Sequence, residues 1–350
     1  MSPRKGLNVP LVTALDEAGN IIEADQRRII RHTFQNGSGA DSIFLAGTTG
    51  EFNRITNEHR QQLFEIGVDE TRRINAELPQ GSLPVEAWVG VTAETKAETL
   101  ENIKLARELK SEMAVIAPLT IGDLAPDEII EFFERDIAQI IGSDETLPIS
   151  LYDNPDIAAA PEVMANLPIE LIERLRRLPF VVCLKASTTR EVLQNYLNAF
   201  SGVDGNAPFD IYFGNAPLIF EMDEMRREAG MKDRQVAGVV SGTANLFPRE
   251  WRQAWQAVVK QDSESCAAYR SAFEDFEKLT FSENGQYVIS KLIAGIKQGL
   301  YFQGIISSPL VAQGTPTLTA DEAEKLNIGL EKILDKLRRT VNPQTLSMYA

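Results

Sequence analysis

The chain has 350 residues, 43% of them hydrophobic and 24% charged, a soluble globular composition long enough for one large domain or two ordinary ones. Its formal net charge of −15 argues against nucleic acid and anionic membrane surfaces as partners, so an anionic substrate has to be met locally, by backbone N–H groups or a few basic residues. No apolar run is long enough to span a bilayer, and the opening Met-Ser-Pro-Arg-Lys-Gly-Leu lacks the apolar core of a signal peptide; with two distant cysteines, Cys183 and Cys266, and no disulfide framework, the expected setting is the cytoplasm.

A first strand is predicted over residues 7–15. Helical spacing follows over 24–36, with Ile29, Ile30 and Phe34 on one face and Gly37-Ser38-Gly39 as the stop. Strand 41–46 runs into Gly47-Thr48-Thr49-Gly50-Glu51-Phe52. Then come helix 57–76, a loop over 78–84, strand 85–91, helix 92–110, strand 112–119 and helix 125–141, with Pro126 near its start. Strand 148–152 leads into Asp153-Asn154-Pro155, and helical material over 161–178 is interrupted at Pro168. The apolar stretch 181–187, Val-Val-Cys-Leu-Lys-Ala-Ser, is a buried strand by composition. Helix 189–200, a polar loop over 201–208, strand 210–213 ending at Gly214-Asn215, helix 217–229 and strand 235–240 ending at Ser241-Gly242-Thr243-Ala244-Asn245 complete the repeat. Helices are predicted over 248–261, 263–279, 284–298 and 320–339.

About eight strands, each followed by a helix, predict an α/β fold: a (β/α)8 TIM barrel over 7–260, helices over 261–340 packed on it, and a flexible tail over 341–350. A doubly wound open sheet is the competitor, but the Gly-rich dinucleotide turn expected after its first strand is absent. In a barrel the active site lies at the carboxyl ends of the strands, and the unusual residues collect there. Lys185 stands at the end of a buried strand, where desolvation favours a neutral amine able to attack a carbonyl. The competing interpretation is a lysine whose ammonium snorkels to water. Gly47 to Glu51 offers two hydroxyls and successive N–H groups suited to a carboxylate, or is a plain βα turn. Tyr152 is a proton shuttle or a core tyrosine. His32 and His59 lie on predicted helices and are read as packing or surface residues. With so few histidines and cysteines, neither a zinc site nor a Ser-His-Asp triad is expected, and no metal or other cofactor is called for.

Together these motifs resemble the dihydrodipicolinate synthase/N-acetylneuraminate lyase family of pyruvate-dependent class I aldolases. The resemblance rests on Gly47-Thr48-Thr49-Gly50-Glu51, on Tyr152 with Pro155, on Leu184-Lys185, and on Gly238-Val239-Val240-Ser241-Gly242-Thr243-Ala244-Asn245. It implies that Lys185 forms a Schiff base with a 2-oxo acid such as pyruvate, that Tyr152 moves protons, and that Thr48 and Thr49 hold the carboxylate. Lys185, Tyr152 and Thr49 form the expected catalytic set; Gly47, Thr48, Thr49, Asn154, Gly214, Asn215 and Ser241 are the expected substrate contacts. The implied partners are a 2-oxo acid and an aldehyde, and the implied assembly is a homodimer or homotetramer.

The departures from the family pattern narrow the activity. Ile157 stands where dihydrodipicolinate synthases carry an arginine for the second substrate's carboxylate, and an apolar side chain cannot make that bidentate contact. The strand-four exit reads Ala117-Pro118-Leu119-Thr120 without the usual aromatic, Ala186 follows the lysine in place of an acid, and Asp153 replaces an asparagine. The expectation is a lyase that cleaves or forms a carbon–carbon bond between pyruvate and an aldehyde, acting on a 2-oxo-3-deoxy sugar acid or similar compound. Asp153 joins Asn154, Asn215 and Ser241 as a candidate for the variable half of the pocket. The alternatives are a dehydratase using the same imine, dihydrodipicolinate synthase itself, and a non-catalytic ligand-binding barrel.

Overall fold

A computed structural model describes residues 3–142, 147–200, 209–231, 236–284 and 287–340. Eight parallel strands close into a barrel in sequence order: β1 (Gly6–Pro10), β2 (Ser42–Leu45), β3 (Glu86–Gly90), β4 (Met113–Ile116), β5 (Ile149–Asp153), β6 (Val181–Ala186), β7 (Asp210–Phe213) and β8 (Val236–Val240). Pairing of β1 with β8 completes the closure, so no barrel strand keeps a free edge. The helices alternating with the strands are α1 (Glu23–Phe34), α2 (Asn57–Glu77), α3 (Lys96–Glu108), the short α4 (Ile129–Glu131) and α5 (Ala138–Ile141) joined through a π-turn, α6 (Ile169–Leu175), α7 (Arg190–Phe200), α8 (Met222–Glu228) and α9 (Pro248–Lys260). This is the expected (β/α)8 TIM barrel, followed by α10 (Ser263–Lys278), a hairpin of β9 (Phe281–Asn284) and β10 (Tyr287–Ser290), α11 (Leu292–Phe302) and α12 (Ala320–Thr340). Among the described residues no helix is long and apolar enough to cross a membrane.

Period-two alternation, interrupted by register irregularities between β5 and β6 and between β7 and β8, divides the strands between two cores. One face packs under the helices, as Leu7, Val9, Ile43, Leu45, Val89, Leu184 and Val239 do. The other fills the barrel with Phe44, Trp88, Met113, Val115, Tyr152, Cys183, Tyr212, Ala237 and Val240. Trp88 and Tyr212 meet edge to face at 5.0 Å near the middle of this interior, so the barrel is a packed core, with room for chemistry only at its ends.

Four expectations need correction. Residues 284–298 were expected as one helix, but 287–290 form β10 and the helix starts at Leu292. The Tyr-Val-Ile run is β-branched and aromatic, and the Gly-Gln pair at 285–286, between the paired Asn284 and Tyr287, is a Gly-X hairpin signal. The first strand ends at Pro10 and not at residue 15, because the Val12 N–H bonds to the Asn245 side chain and leaves the ladder. The helical material expected over 161–178 reduces to Ile169–Leu175, which begins just after Pro168; the residue before a proline is biased away from helix. Residues 216–221 form a 3-10 turn ahead of α8 and do not join it in one helix. The expected loop over 201–208 and the tail over 341–350 lie outside the described residues.

Candidate active site at the carboxyl rim of the barrel

Lys185 is fixed by register. It pairs with Tyr152 on β5 and with Tyr212 on β7, and it shares the inward face of β6 with Cys183. Only 4% of the residue is exposed. Its ammonium nitrogen lies 3.6 Å from the Tyr152 ring centroid and 4.7 Å from that of Phe44. Burial pulls the Lys185 pKa below the ordinary lysine value, while the neighbouring Tyr152 oxygen pulls the other way. The lysine is therefore packed inside and does not snorkel to water. Cys183 beneath it is buried completely, which pushes its thiol up to about 12 and removes it as a nucleophile near neutral pH.

The two tyrosines beside Lys185 have different tasks. The Tyr212 hydroxyl donates to the Arg4 carbonyl at 2.8 Å, at the amino-terminal end of the barrel, and is committed there. The Tyr152 oxygen lies 3.1 Å from the Thr48 hydroxyl and accepts an N–H from Asn154 at 2.9 Å. Burial alone raises the Tyr152 pKa, but the Lys185 charge and hydrogen bonds to Thr48, Ser187 and Lys185 outweigh it, and the phenol ends below its ordinary value. Lys185 and Tyr152 thus lie side by side, each with its pKa held below the ordinary value.

The Gly-Thr-Thr-Gly turn closes one side of this site. Ala46 and Glu51, at its two ends, take left-handed backbone angles, φ 49° and 60°, which are unfavourable for residues with a Cβ. A Cβ at Gly47 would sit 2.5 Å from the Phe44 ring, so only glycine lets the turn pass over that side chain. The Thr13 hydroxyl donates to the Gly50 carbonyl at 2.7 Å and ties the turn to the exit of β1. Thr49 points across the rim at Gly242, after β8, where a Cβ would lie 3.4 Å from its Oγ1.

Glu51 anchors the turn from behind. Its carboxylate receives Lys297 Nζ at 2.5 Å, the Ala312 N–H at 2.8 Å and the Thr315 hydroxyl at 2.6 Å, and both charged side chains are fully buried. Lys297 also donates to the Leu310 carbonyl at 2.8 Å. Burial lowers the Lys297 pKa, and Glu51 opposes the shift. The signal for this pair was a lysine within the apolar Leu-Ile-Ala-Gly-Ile-Lys run of α11, separated from Glu51 by 246 residues. Ser187 was also overlooked as an individual residue, although alternation puts it on the face of Lys185. Gly214 is explained by it: a Cβ there would stand 2.1 Å from the Ser187 hydroxyl.

Other expected contacts are engaged by neighbours within the chain. The Ser241 hydroxyl pairs with Thr243 at 3.1 Å, and Thr243 takes the Trp251 indole N–H, so Ser241 is joined to α9. Asn215 is exposed and donates to the Thr188 carbonyl. Asp153 does not belong to the pocket: it is buried under the helices, where it accepts from Asn166, the Leu167 N–H and the Tyr196 hydroxyl. Burial raises the Asp153 pKa against these hydrogen bonds. Ile157 packs against the cluster that contains Tyr152, which leaves that part of the rim apolar. Among the described residues no group of three or more His, Cys, Asp or Glu side chains is placed to hold a metal.

Comparison with known proteins bears on the fold and the family. The model of the dihydrodipicolinate synthetase family matches residues 3–335. A 4-hydroxy-tetrahydrodipicolinate synthase of Methylibium petroleiphilum is 25% identical over 286 residues, covering 81% of this chain and 85% of that one. The sialic acid aldolase of Ruminococcus gnavus superposes with a TM-score of 0.76 at 16% identity, over 96% of this chain and 99% of the other. YagE, an E. coli K12 prophage protein of the dihydrodipicolinic acid synthase family crystallised with pyruvate, superposes with a TM-score of 0.75 at 17% identity, over 94% and 98%. At such identities the two structures speak for the fold, while the family model spans nearly the whole sequence, and on that match the chain belongs to the dihydrodipicolinate synthetase family.

Proposed function

We propose that the protein is a Schiff-base-forming lyase acting on a 2-oxo acid, with Lys185 as the nucleophile and Tyr152 as the proton shuttle. The observation that carries this reading is the placement of Lys185, buried at the carboxyl end of β6 against a Tyr152 ring whose oxygen meets Thr48 of the Gly-Thr-Thr-Gly turn. Membership of a family whose relatives include a sialic acid aldolase and a protein crystallised with pyruvate supports it.

In the cleavage direction the neutral Lys185 amine adds to the C2 carbonyl, and water leaves as the protonated imine forms. The electron pair of the C3–C4 bond moves into the imine as the C4 hydroxyl proton passes to the Tyr152 oxygen, and the aldehyde departs. The enamine takes a proton at C3, and water hydrolyses the imine to release pyruvate and restore the amine. Nothing is oxidised or reduced overall. Thr48, Thr49 and the N–H groups after Gly47 receive the carboxylate, the local answer to a chain whose net charge is −15. Ile157 argues against dihydrodipicolinate synthase and for a second substrate without a carboxylate at that place, with a 2-oxo-3-deoxy sugar acid as the compound to be cleaved. Assembly as a homodimer or homotetramer belongs to the same proposal.

A screen of 2-oxo-3-deoxy sugar acids tests the reaction. The expected result is pyruvate and an aldehyde released in equal amounts. Loss of water without pyruvate would replace the aldolase by a dehydratase using the same imine. Binding without any turnover would contradict the enzymatic reading.

A further inference from the structure

We infer that Asn154 is a positioning residue for the Tyr152 phenol, its amide locked so that an N–H always faces the phenolic oxygen. The inference rests on the reading above in which Tyr152 moves protons. Strand alternation brings the two together: Tyr152 faces inward, Asp153 outward, and Asn154 inward again at the exit of β5. The orientation of an amide has to be deduced from its partners, and here they leave one solution. Asn154 Oδ1 accepts the Asp156 N–H at 3.1 Å and so caps the 3-10 turn Pro155–Ile157. Pro155 has no N–H to offer, so the Asp156 N–H is the first donor of that turn in need of an acceptor. The atom 2.9 Å from the Tyr152 oxygen is therefore Nδ2, which donates and cannot accept.

Two consequences follow for proton transfer. The phenol hydrogen cannot point at Asn154, so it is left to the oxygen's other neighbours, Ser187 and the Thr48 hydroxyl at 3.1 Å among them. When the phenol loses its proton, the Asn154 N–H remains in place as a hydrogen bond to an anion, which is stronger than one to the neutral phenol. Asn154 thus favours the ionised form without reorganising. Both ends of its amide are engaged, which leaves a single N–H for any ligand and changes it from an expected substrate contact into a support for Tyr152.

Two variants separate this role from capping. Asn154→Asp keeps an acceptor for the Asp156 N–H but turns an acceptor toward the phenol. Asn154→Ser also keeps a capping oxygen and is too short to reach the phenol. Each is compared with the wild type for kcat and KM as a function of pH in the cleavage assay, and for borohydride trapping with pyruvate. In both variants we expect trapping to persist, KM to stay within about a factor of two, and kcat to fall by about tenfold or more. The rise of kcat with pH moves to higher pH by about one unit, further in Asn154→Asp than in Asn154→Ser. If both variants keep the wild-type kcat and pH profile, Asn154 is only a cap and the inference is wrong. If the wild type itself gives no trapped adduct, the failure lies with the Lys185 reading, and the inference falls with it.

Discussion

Lys185 and Tyr152 shape each other's protonation, and the direction can be worked out residue by residue. Burial lowers the lysine pKa, and the phenol oxygen raises it. Removing that oxygen in Tyr152→Phe leaves desolvation unopposed, so the amine becomes neutral at lower pH than in the wild type. The pH at which borohydride trapping reaches half its plateau therefore moves down in the variant. With Tyr152 as the proposed proton shuttle, turnover in the same variant is predicted to fall by about 10²-fold or more. A half-plateau that stays fixed or moves to higher pH contradicts the coupling. Cys183 needs no role in this chemistry, since its raised thiol sits under the lysine as packing.

At the scale of elements, the Gly-Thr-Thr-Gly turn, proposed to receive the carboxylate, depends on a helix outside the barrel. Glu51 ties the turn after β2 to Lys297 of α11 and to the segment carrying Ala312 and Thr315. A buried pair of this kind contributes little beyond a well-packed apolar substitute, but breaking it leaves one charge stranded. Lys297→Met is predicted to cost about 3–5 kcal/mol in chemical denaturation, and the double variant Glu51→Gln/Lys297→Met to recover part of it. Because Glu51 also holds the left-handed end of the turn, the pyruvate KM rises in the single variant. A loss below about 1 kcal/mol with unchanged KM would show that the turn holds itself. This dependence was hidden in the sequence. Periodicity locates helices and strands, but it does not say which buried lysine meets which buried glutamate across 246 residues. The missed hairpin has a different cause: the four-residue strand Tyr287–Ser290 is too short for its alternation to stand out beside the apolar helix that follows.

For the molecule as a whole, the barrel was legible because its signal is repeated. Eight short apolar runs, most of them closed by Gly, Asn or Pro and each followed by helical spacing, leave few topologies, and the rim placement of Lys185 follows from the fold. Side-chain direction at the rim was less legible. Asp153 and Ser241 stand beside the site in sequence, yet one packs under the helices and the other bonds toward α9, because the register at a strand end sends alternate residues outward. The net charge of −15 acts at this scale too. An anionic substrate approaches against the overall field, so kcat/KM for a 2-oxo acid is predicted to rise with added salt up to about 0.15 M and then level off. A steady fall with salt would mean that local positive charge dominates the approach.

The central claim is that Lys185 condenses with a 2-oxo acid, and reductive trapping tests it most directly. Borohydride added to the protein with pyruvate is predicted to leave one reduced pyruvyl group per chain, located by peptide mass analysis on Lys185 and absent from Lys185→Ala. An unmodified chain, under conditions that label a known lysine-dependent aldolase, or an adduct on a different lysine, would contradict it.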